Sequence, residues 1–339
     1  MKKIRIGIIG AGKIAERTHL PQYADSRQAE VVAICDVIKK KADRLAGMYK
    51  VPKVYTDYKK MIKEAGIDAV SVCTPNYLHA PMTIFAAKNK KHVLCEKPMS
   101  ITVKDMKAMI KACKDNKVTL MVEQSHRFDP AHEVLRDYVA KGTIGRILNV
   151  RGKLGHAGPE YWSTDSPWFF QKQKSGGGVS VDVGIHILDL IRFIVGKDII
   201  EVSGQTGTLD KKVPVEDNIV STIKFEDNAL GVFEASWTTK PYEVVVFLYG
   251  TKGKAMVQQA KDRVVISVSN PKNPYATPKI IKPAIPKKSK NVSPCDYFLT
   301  CVATGRKPLI DGVQGMKSMA VILAALESAR TKKLVKVRV

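Results

Sequence analysis

Short apolar runs alternate with amphipathic segments along the first 124 residues. The runs KIRIGIIG, AEVVAICD, IDAVSVCTPN, KHVLCEKP and VTLMVEQ are typical of strands buried on both faces, and VPKVY is a shorter example. The segments between them, such as KKKADRLAGMYK and TVKDMKAMIKACKDNK, space their apolar residues as helices do. An earlier one, KIAERTHLPQY, is expected to end at Pro21. This alternation predicts a doubly wound parallel sheet with helices on both faces.

The pattern changes after residue 124. Helices are predicted over DPAHEVLRDYVAKG and VSVDVGIHILDLIRFIVG. Sequential strand-like runs then follow at about 199–209, 215–225, 229–238, 242–250 and 254–258. We therefore expect two domains, 1–124 with the parallel sheet and 125–339 as an α+β domain with one broad antiparallel sheet. The Pro- and Lys-rich segment 271–294 is expected to be an exposed loop or a lid.

Composition narrows the class of protein. The 339 residues are 45% hydrophobic, and no apolar run approaches the ~20 residues of a membrane span. None of the six cysteines forms a C-x-x-C pair or a zinc-type cluster, so we expect buried thiols in a cytoplasmic protein without a metal. The net charge of +24 is divided evenly between 1–124 and 125–339. This spread argues against nucleic-acid binding and leaves two alternatives, a generally basic surface or an acidic substrate.

A glycine pattern follows the first predicted strand. In GIIGAGKIA, residues Gly10, Gly12 and Ala15 match G-x-G-x-x-A at a turn from strand to helix. Such a turn lets the backbone approach a pyrophosphate at a helix N-terminus. Asp36 ends the second strand, where a carboxylate accepts hydrogen bonds from ribose hydroxyls. We predict a dinucleotide site that favours NAD, with NADP left open by Lys39 to Lys41.

Polar motifs end three of the predicted strands. Asp36, TPN at 74–76 and EKP at 96–98 directly follow the cysteines at 35, 73 and 95. Because ligands bind beyond the carboxyl ends of parallel strands, these motifs are expected along one edge of the sheet. Lys97 is then predicted at the mouth of a nucleotide crevice.

One helix of the second half combines ionisable side chains. Asp182, His186 and Asp189 stand at i, i+4 and i+7 and are expected on one face. A structural Asp–His pair would explain this spacing. The preceding SGGG favours approach of another molecule, and a histidine oriented by an aspartate can accept a hydroxyl proton.

Four motifs occur in order: GIIGAGKIA, TPNYLHA, CEKP and GGGVSVDVGIH. Together they resemble the Gfo/Idh/MocA family of oxidoreductases, and the likeness runs from residue 1 to about 250. The resemblance implies a Rossmann domain over 1–124. Over 125–339 it implies a substrate-binding and oligomerisation domain with a large open-faced antiparallel sheet. It also implies NAD(P)-dependent oxidation or reduction of a sugar, cyclitol or related polyol.

The resemblance implies catalytic roles for three residues. His186 would remove the hydroxyl proton, Lys97 would hydrogen-bond the same oxygen, and Asp182 would orient the lysine, the histidine or a substrate hydroxyl. The predicted cofactor contacts are Gly10, Gly12, Lys13, Ile14, Asp36, Thr74, Pro75, Asn76, His79, Glu96, Lys97 and Gln124. The predicted substrate contacts are Lys97, Arg127, Trp168, Asp182 and His186. The chain departs from the family at Ser125, where Asn is frequent before HRF.

Other functions and roles stay open at this point. A redox-neutral NAD-dependent glycosidase or epimerase-like enzyme would retain its cofactor without net NADH, and a catalytically silent NAD-binding sensor would lack turnover. Tyr161, Trp162 and Trp168 would either line a sugar pocket or belong to the core.

Val244 and Val246 are expected on one sheet face and Val245 and Phe247 on the other, so both faces are apolar. We therefore expect a homodimer or homotetramer with the 215–250 strands at its interface.

Overall fold

The computed structural model describes residues 3–163, 167–289 and 293–339. The chain divides into two compact units, Met1–Gln124 with Asn291–Met316 and Ser125–Lys290 with Lys317–Val339. The segment 291–316, which we assigned to the second domain from the sequence, thus groups with the first unit. Among the described residues, no helix has the length and apolar character needed to cross a membrane.

The first unit is built on a six-stranded sheet. Its elements up to residue 124 are β1 (Ile4–Ile9), α1 (Leu20–Asp25), β2 (Ala29–Cys35), α2 (Lys39–Tyr49), β3 (Lys53–Tyr55), α3 (Tyr58–Glu64), β4 (Ala69–Val72), α4 (His79–Lys88), β5 (His92–Cys95), α5 (Val103–Asp115) and β6 (Leu120–Val122). The strand order is β3-β2-β1-β4-β5-β6, and every pair is parallel. The predicted doubly wound parallel sheet is confirmed.

Local sequence explains most of these boundaries. The side chain of Asp57 caps α3 by accepting the Lys59 N–H, and Thr102 caps α5 by accepting the Asp105 N–H. The first helix does not end at Pro21 as predicted. A π-helical turn, Ala15–His19, leads directly into α1, whose first turn tolerates the proline because its missing N–H is not needed there.

The six cysteines are all free and buried. Burial raises the pKa of Cys35 to about 12, and it also raises the pKa of Cys95 and Cys113. These thiols are therefore neutral core residues near pH 7, as the sequence predicted. No cluster of His, Cys, Asp and Glu suited to a metal ion occurs among the described residues.

The second unit is built on a nine-stranded sheet. Its elements are α6 (Pro130–Ala140), β7 (Ile147–Gly155), α7 (Lys172–Ser175), α8 (Ile185–Val195), β8 (Ile199–Gly207), β9 (Asn218–Phe225), β10 (Leu230–Ser236), β11 (Glu243–Gly250), β12 (Gly253–Gln258), β13 (Arg263–Val268) and β14 (Lys279–Ile281). Toward the C-terminus, α9 (Pro294–Thr304) belongs to the first unit, α10 (Gly312–Thr331) begins there and continues into the second, and β15 (Val335–Lys336) pairs with β8.

The second sheet is mixed, with the order β14-β13-β12-β11-β7-β10-β9-β8-β15. We expected an antiparallel sheet, and that prediction fails for one pair: β7 and β10 are parallel. The helices and two strands between them supply the long connection that parallel pairing requires. The segment 271–294 is largely exposed as predicted, but it includes the short edge strand β14, and residues 290–292 lie outside the described part.

One face of this sheet is covered by helices. An added Cβ at Gly152 of β7 would lie 2.6 Å from the Ile191 side chain, so the glycine lets α8 approach closely. Val244 and Val246 are fully buried on this face. Phe247, on the opposite face, is 36% exposed. The predicted alternation in β11 is confirmed.

A buried ion pair ties α8 to the segment before α6. Asp189 accepts hydrogen bonds from Arg127 Nε at 2.6 Å and Nη2 at 2.7 Å, and both side chains are almost fully buried. The Ser318 hydroxyl donates to the same carboxylate at 2.7 Å. Breaking such a pair leaves a buried charge without compensation.

We expect Asp189→Asn to lower the free energy of unfolding of the second unit by about 3–5 kcal/mol, because Arg127 then keeps an uncompensated charge. All three tryptophans, Trp162, Trp168 and Trp237, lie in this unit, so urea unfolding followed by tryptophan fluorescence measures it. Glu201→Gln, at the more exposed Lys224 pair, is the control and should cost less than about 1 kcal/mol. Equal losses in the two variants would contradict the prediction.

Candidate active site

The predicted site residues divide between the two units. In the first unit, the turn after β1 has the geometry of a phosphate-binding loop. Gly10 has φ +98°, and a Cβ there would lie 2.5 Å from the Cys73 carbonyl oxygen, so only glycine fits. An added Cβ at Gly12 would meet no atom within 4 Å. Gly12 therefore borders open space beside the backbone, where a ligand can approach.

Asp36 holds the glycine turn as well as ending β2. One carboxylate oxygen accepts the Ala11 N–H at 2.8 Å, and the other accepts the Ile38 N–H at 2.8 Å. Lys13 and Ile14 begin the helical segment that follows the turn, and both are half-buried. The glycine with positive φ, the open space beside Gly12 and the Asp36 carboxylate fit a dinucleotide. When bound, the dinucleotide would supply a hydride acceptor or donor at its nicotinamide.

The motifs after β4 and β5 lie side by side. Val72 pairs with Cys95 at the carboxyl ends of these neighbouring parallel strands, which brings 74–76 close to 96–98 as predicted. Thr74 and Pro75 are half-buried, and Asn76 is buried at the start of a short 3₁₀ turn. Lys97 is half-buried directly beyond β5.

The imidazole of His79 links these two loops through their backbone carbonyl groups. Its ring is fully buried, with Nε2 2.7 Å from the Thr74 carbonyl oxygen and Nδ1 2.8 Å from the Pro98 carbonyl oxygen. The side chain therefore has no ring nitrogen left to contact a cofactor directly, which corrects our prediction for it. Burial lowers the pKa of His79, against the two carbonyl oxygens that favour its protonated form. Its role is to hold the loops.

Glu96 likewise contacts protein. One carboxylate oxygen lies 2.8 Å from Nε2 of the buried His19, and the other accepts the Lys97 N–H at 3.1 Å. Cys295 Sγ lies 3.8 Å from Nδ1 of the same histidine. The sequence analysis did not identify His19, because no local pattern marks a partner 77 residues away from Glu96. Glu96 thereby fixes the backbone of Lys97, while its predicted contact with nicotinamide stays a prediction.

Gln124 is placed by the next strand of the same sheet. It follows β6 and is almost completely buried. The preceding Glu123 N–H donates to the Cys95 carbonyl oxygen at 2.8 Å, which continues the β5–β6 pairing toward the motif at Lys97.

In the second unit, Asp182 lies in a π-helical turn, Ser180–Gly184, that precedes α8. Trp237 is fully buried, and its Nε1–H donates to Asp182 Oδ2 at 3.0 Å. His156 Nε2 lies 3.7 Å from the same oxygen. The sequence analysis identified neither partner, since each follows the end of a strand distant in sequence.

His186 is half-buried in the first turn of α8. Its ring contacts the His126 ring edge-to-face, with 5.1 Å between the centroids. Asp189, which the helical spacing placed on one face with Asp182 and His186, is almost fully buried. Its carboxylate binds Arg127 in the buried ion pair, and the predicted contact of Arg127 with substrate stays a prediction.

The aromatic residues Tyr161, Trp162, Trp168 and Phe169 separate into two groups. Trp168 stacks on Phe169 with 3.9 Å between ring centroids, and Trp162 meets the same ring edge-on at 5.2 Å. Tyr161 is exposed instead, with Lys211 and Lys240 over its ring at 5.7 and 5.9 Å. Trp162 and Trp168 thus belong to one local cluster, in which Trp168 is half-buried.

Comparisons with known proteins identify related sequences. Residues 4–124 match the model of the oxidoreductase family with an NAD-binding Rossmann fold, and residues 132–256 match the GFO/IDH/MocA C-terminal domain. Levoglucosan dehydrogenase of Pseudarthrobacter phenanthrenivorans is 30% identical, over 75% of this chain and 73% of its own. Myo-inositol 2-dehydrogenase of Thermotoga maritima is 27% identical, over 98% of both.

A solved structure shares the complete architecture. The aldose-aldose oxidoreductase from Caulobacter crescentus, solved with glycerol, has a TM-score of 0.85 at 27% identity and covers 99% of this chain and 100% of its own. The two family models place the chain among NAD-binding oxidoreductases. The chain belongs to the Gfo/Idh/MocA family, as the motifs indicated.

We expect Asp36 to make the protein bind NADH at least about ten-fold more tightly than NADPH, because its carboxylate repels a 2′-phosphate and accepts ribose hydroxyls. Fluorescence titration of both cofactors measures this ratio. Asp36→Ser should reduce the ratio, whereas Asp115→Ser, which removes an exposed carboxylate of α5, should leave it unchanged. A wild-type preference for NADPH would show that Lys39 to Lys41 outweigh Asp36.

Proposed function

We propose that this protein is an NAD-dependent dehydrogenase or reductase that acts on a CH–OH carbon of a sugar, a cyclitol or a related polyol. The observation that carries the proposal is the placement of Lys97. It lies at the carboxyl end of a Rossmann strand, and Glu96, which is itself bound to His19, accepts its backbone N–H. A lysine whose backbone is fixed at this edge can present its ammonium group to a substrate oxygen next to a nicotinamide.

The chain supplies its polar groups in separate roles. Lys97 donates a hydrogen bond to the reacting oxygen and stabilises negative charge on it. His186 takes the hydroxyl proton in the oxidative direction and returns it in the reductive one. Asp182 stays in place through the Trp237 hydrogen bond and accepts a hydrogen bond from a substrate hydroxyl.

The names of the relatives and the chemistry of the second unit support this substrate class. The relatives named above act on levoglucosan and myo-inositol according to their names. A carboxylate, a histidine and a half-buried tryptophan are groups that suit a polyol, because hydroxyls need donors and acceptors while a sugar ring has an apolar face. The net charge of +24 would also attract an acidic sugar.

The six buried free cysteines support a cytoplasmic location.

We expect Lys97→Met to lower kcat by about 100-fold or more, because the reacting oxygen loses its charged donor. NADH binding, measured by fluorescence, should remain within about three-fold of wild type if the lysine acts in the chemical step rather than in binding. Lys88→Met, at an exposed position of α4, is the control and should retain full turnover. Near-normal kcat in Lys97→Met would remove the lysine from the chemistry.

The open face of the second sheet supports a homodimer or homotetramer. Val220 and Leu230 are each more than half exposed, and Phe247 and Tyr249 are about two-fifths exposed. All four lie on β9, β10 and β11. β9 and β10 are neighbours, and β7 separates β10 from β11. Exposed apolar side chains on one face of a sheet suit a self-complementary contact across a two-fold axis.

We expect light scattering at micromolar concentration to give at least twice the 37.4 kDa of one chain. Phe247→Glu should shift the protein toward monomer, because a carboxylate on the open face would be desolvated in the contact. Leu209→Glu changes another exposed apolar residue outside the strands and should keep the wild-type mass. A monomeric wild-type protein would exclude this assembly.

A further inference from the structure

The parallel pair in the second sheet brings two ring N–H groups to one carboxylate. Gly155 at the end of β7 pairs with Ser236 at the end of β10. The backbone N–H of His156 donates to the Ser236 carbonyl oxygen at 3.0 Å. His156 and Trp237 therefore leave the sheet next to each other. Both approach the same oxygen of Asp182, Trp237 Nε1 at 3.0 Å and His156 Nε2 at 3.7 Å.

The tautomer of neutral His156 is fixed by the backbone. The Gly158 N–H lies 2.9 Å from His156 Nδ1, and an amide N–H can only donate. Nδ1 is therefore the acceptor, and the ring proton of the neutral form is on Nε2. Because the Nδ1 lone pair is already used, His156 is not available as a base, in contrast to the role proposed for His186.

The Nε2–H group faces Asp182 across a gap. A separation of 3.7 Å exceeds an ordinary hydrogen bond, and Nε2 has no closer acceptor among the described residues. The His156 side chain is 21% exposed, so part of the ring is accessible. A donor at Nε2 and an acceptor at the Asp182 carboxylate thus stand side by side. A hydroxyl group, which donates one hydrogen bond and accepts others, satisfies both at once.

We propose that His156 is a specificity-determining residue, whose Nε2–H donates to a substrate hydroxyl that in turn donates to Asp182. This inference rests on the proposed function, since it assigns the polyol to the side of the site that contains Asp182. Trp237 holds the carboxylate from its buried side, and Gly158 holds the imidazole. The pair selects a hydroxyl over hydrogen or a carbonyl at that substrate carbon, because a carbonyl oxygen cannot donate to Asp182.

Two substitutions separate this role from a structural one. His156→Phe keeps a planar ring without nitrogen, and we expect it to raise the KM for the polyol about ten-fold with a smaller change in kcat. His156→Gln offers an oxygen to the Gly158 N–H and an N–H to the substrate, so it should stay within about three-fold of wild type. NADH binding should be unchanged in both.

His92→Phe is the matched control. His92 Nδ1 also accepts a backbone N–H, that of Thr119 at 3.0 Å, but it begins β5 at the amino edge of the first sheet. This variant should leave the KM for the polyol unchanged.

The substrates tested are D-glucose, D-xylose and myo-inositol, followed by the monodeoxy derivatives of whichever one turns over fastest. For one derivative, wild type and His156→Phe should have equal KM values, since the hydroxyl that His156 reads is missing.

Imidazole ¹⁵N NMR tests the inference without turnover. The His156 signals, assigned by their loss in His156→Gln, should show the proton on Nε2 at about pH 8. They should shift when one of the three polyols is added to the NADH complex. If these signals shift but none of the three polyols is oxidised with NAD, the proposed function fails for these polyols, while the hydroxyl contact at His156 stands. Equal impairment of the Phe and Gln variants, a proton on Nδ1, or signals that no polyol moves would each overturn the inference.

Discussion

Parallel pairing of strands is the constraint on which both sets of functional groups depend. Parallel neighbours end at the same edge of a sheet, so residues far apart in sequence emerge together there. In the first unit, the pairing of β4 with β5 brings the Thr74 and Lys97 loops within reach of one histidine, His79. In the second unit, the pairing of β7 with β10 brings His156 and Trp237 to Asp182.

Buried polar groups at these edges are held by specific partners rather than by solvent. Glu96 lies between His19 and the Lys97 backbone, and Asp182 receives the Trp237 ring N–H. A buried carboxylate without donors would be costly, so each partner both lowers that cost and fixes the direction of the carboxylate. Fixed directions are what a site needs before a substrate arrives, because groups that must reorganise stabilise a transition state less well.

Local sequence patterns predicted the residues whose structural role depends mainly on their neighbours in the sequence. Gly10 is required by a left-handed turn, and the strands of the first unit are continuous apolar runs that can only be buried on both faces. The roles of His79, Arg127 and Asp189 were not predictable in this way. Each is explained by a buried partner, a carbonyl oxygen or an opposite charge, that local spacing does not reveal.

The sequence alone therefore determined the Rossmann unit, the family and the positions of the strand-end motifs, because hydrophobic periodicity and glycine geometry act over a few residues. Only the tertiary structure decided that the second sheet is mixed and that segment 291–316 groups with the first unit. It also decided that His156 faces Asp182. These features depend on pairing between distant strands, whose register and direction are selected by the packing of the whole unit rather than by any short segment.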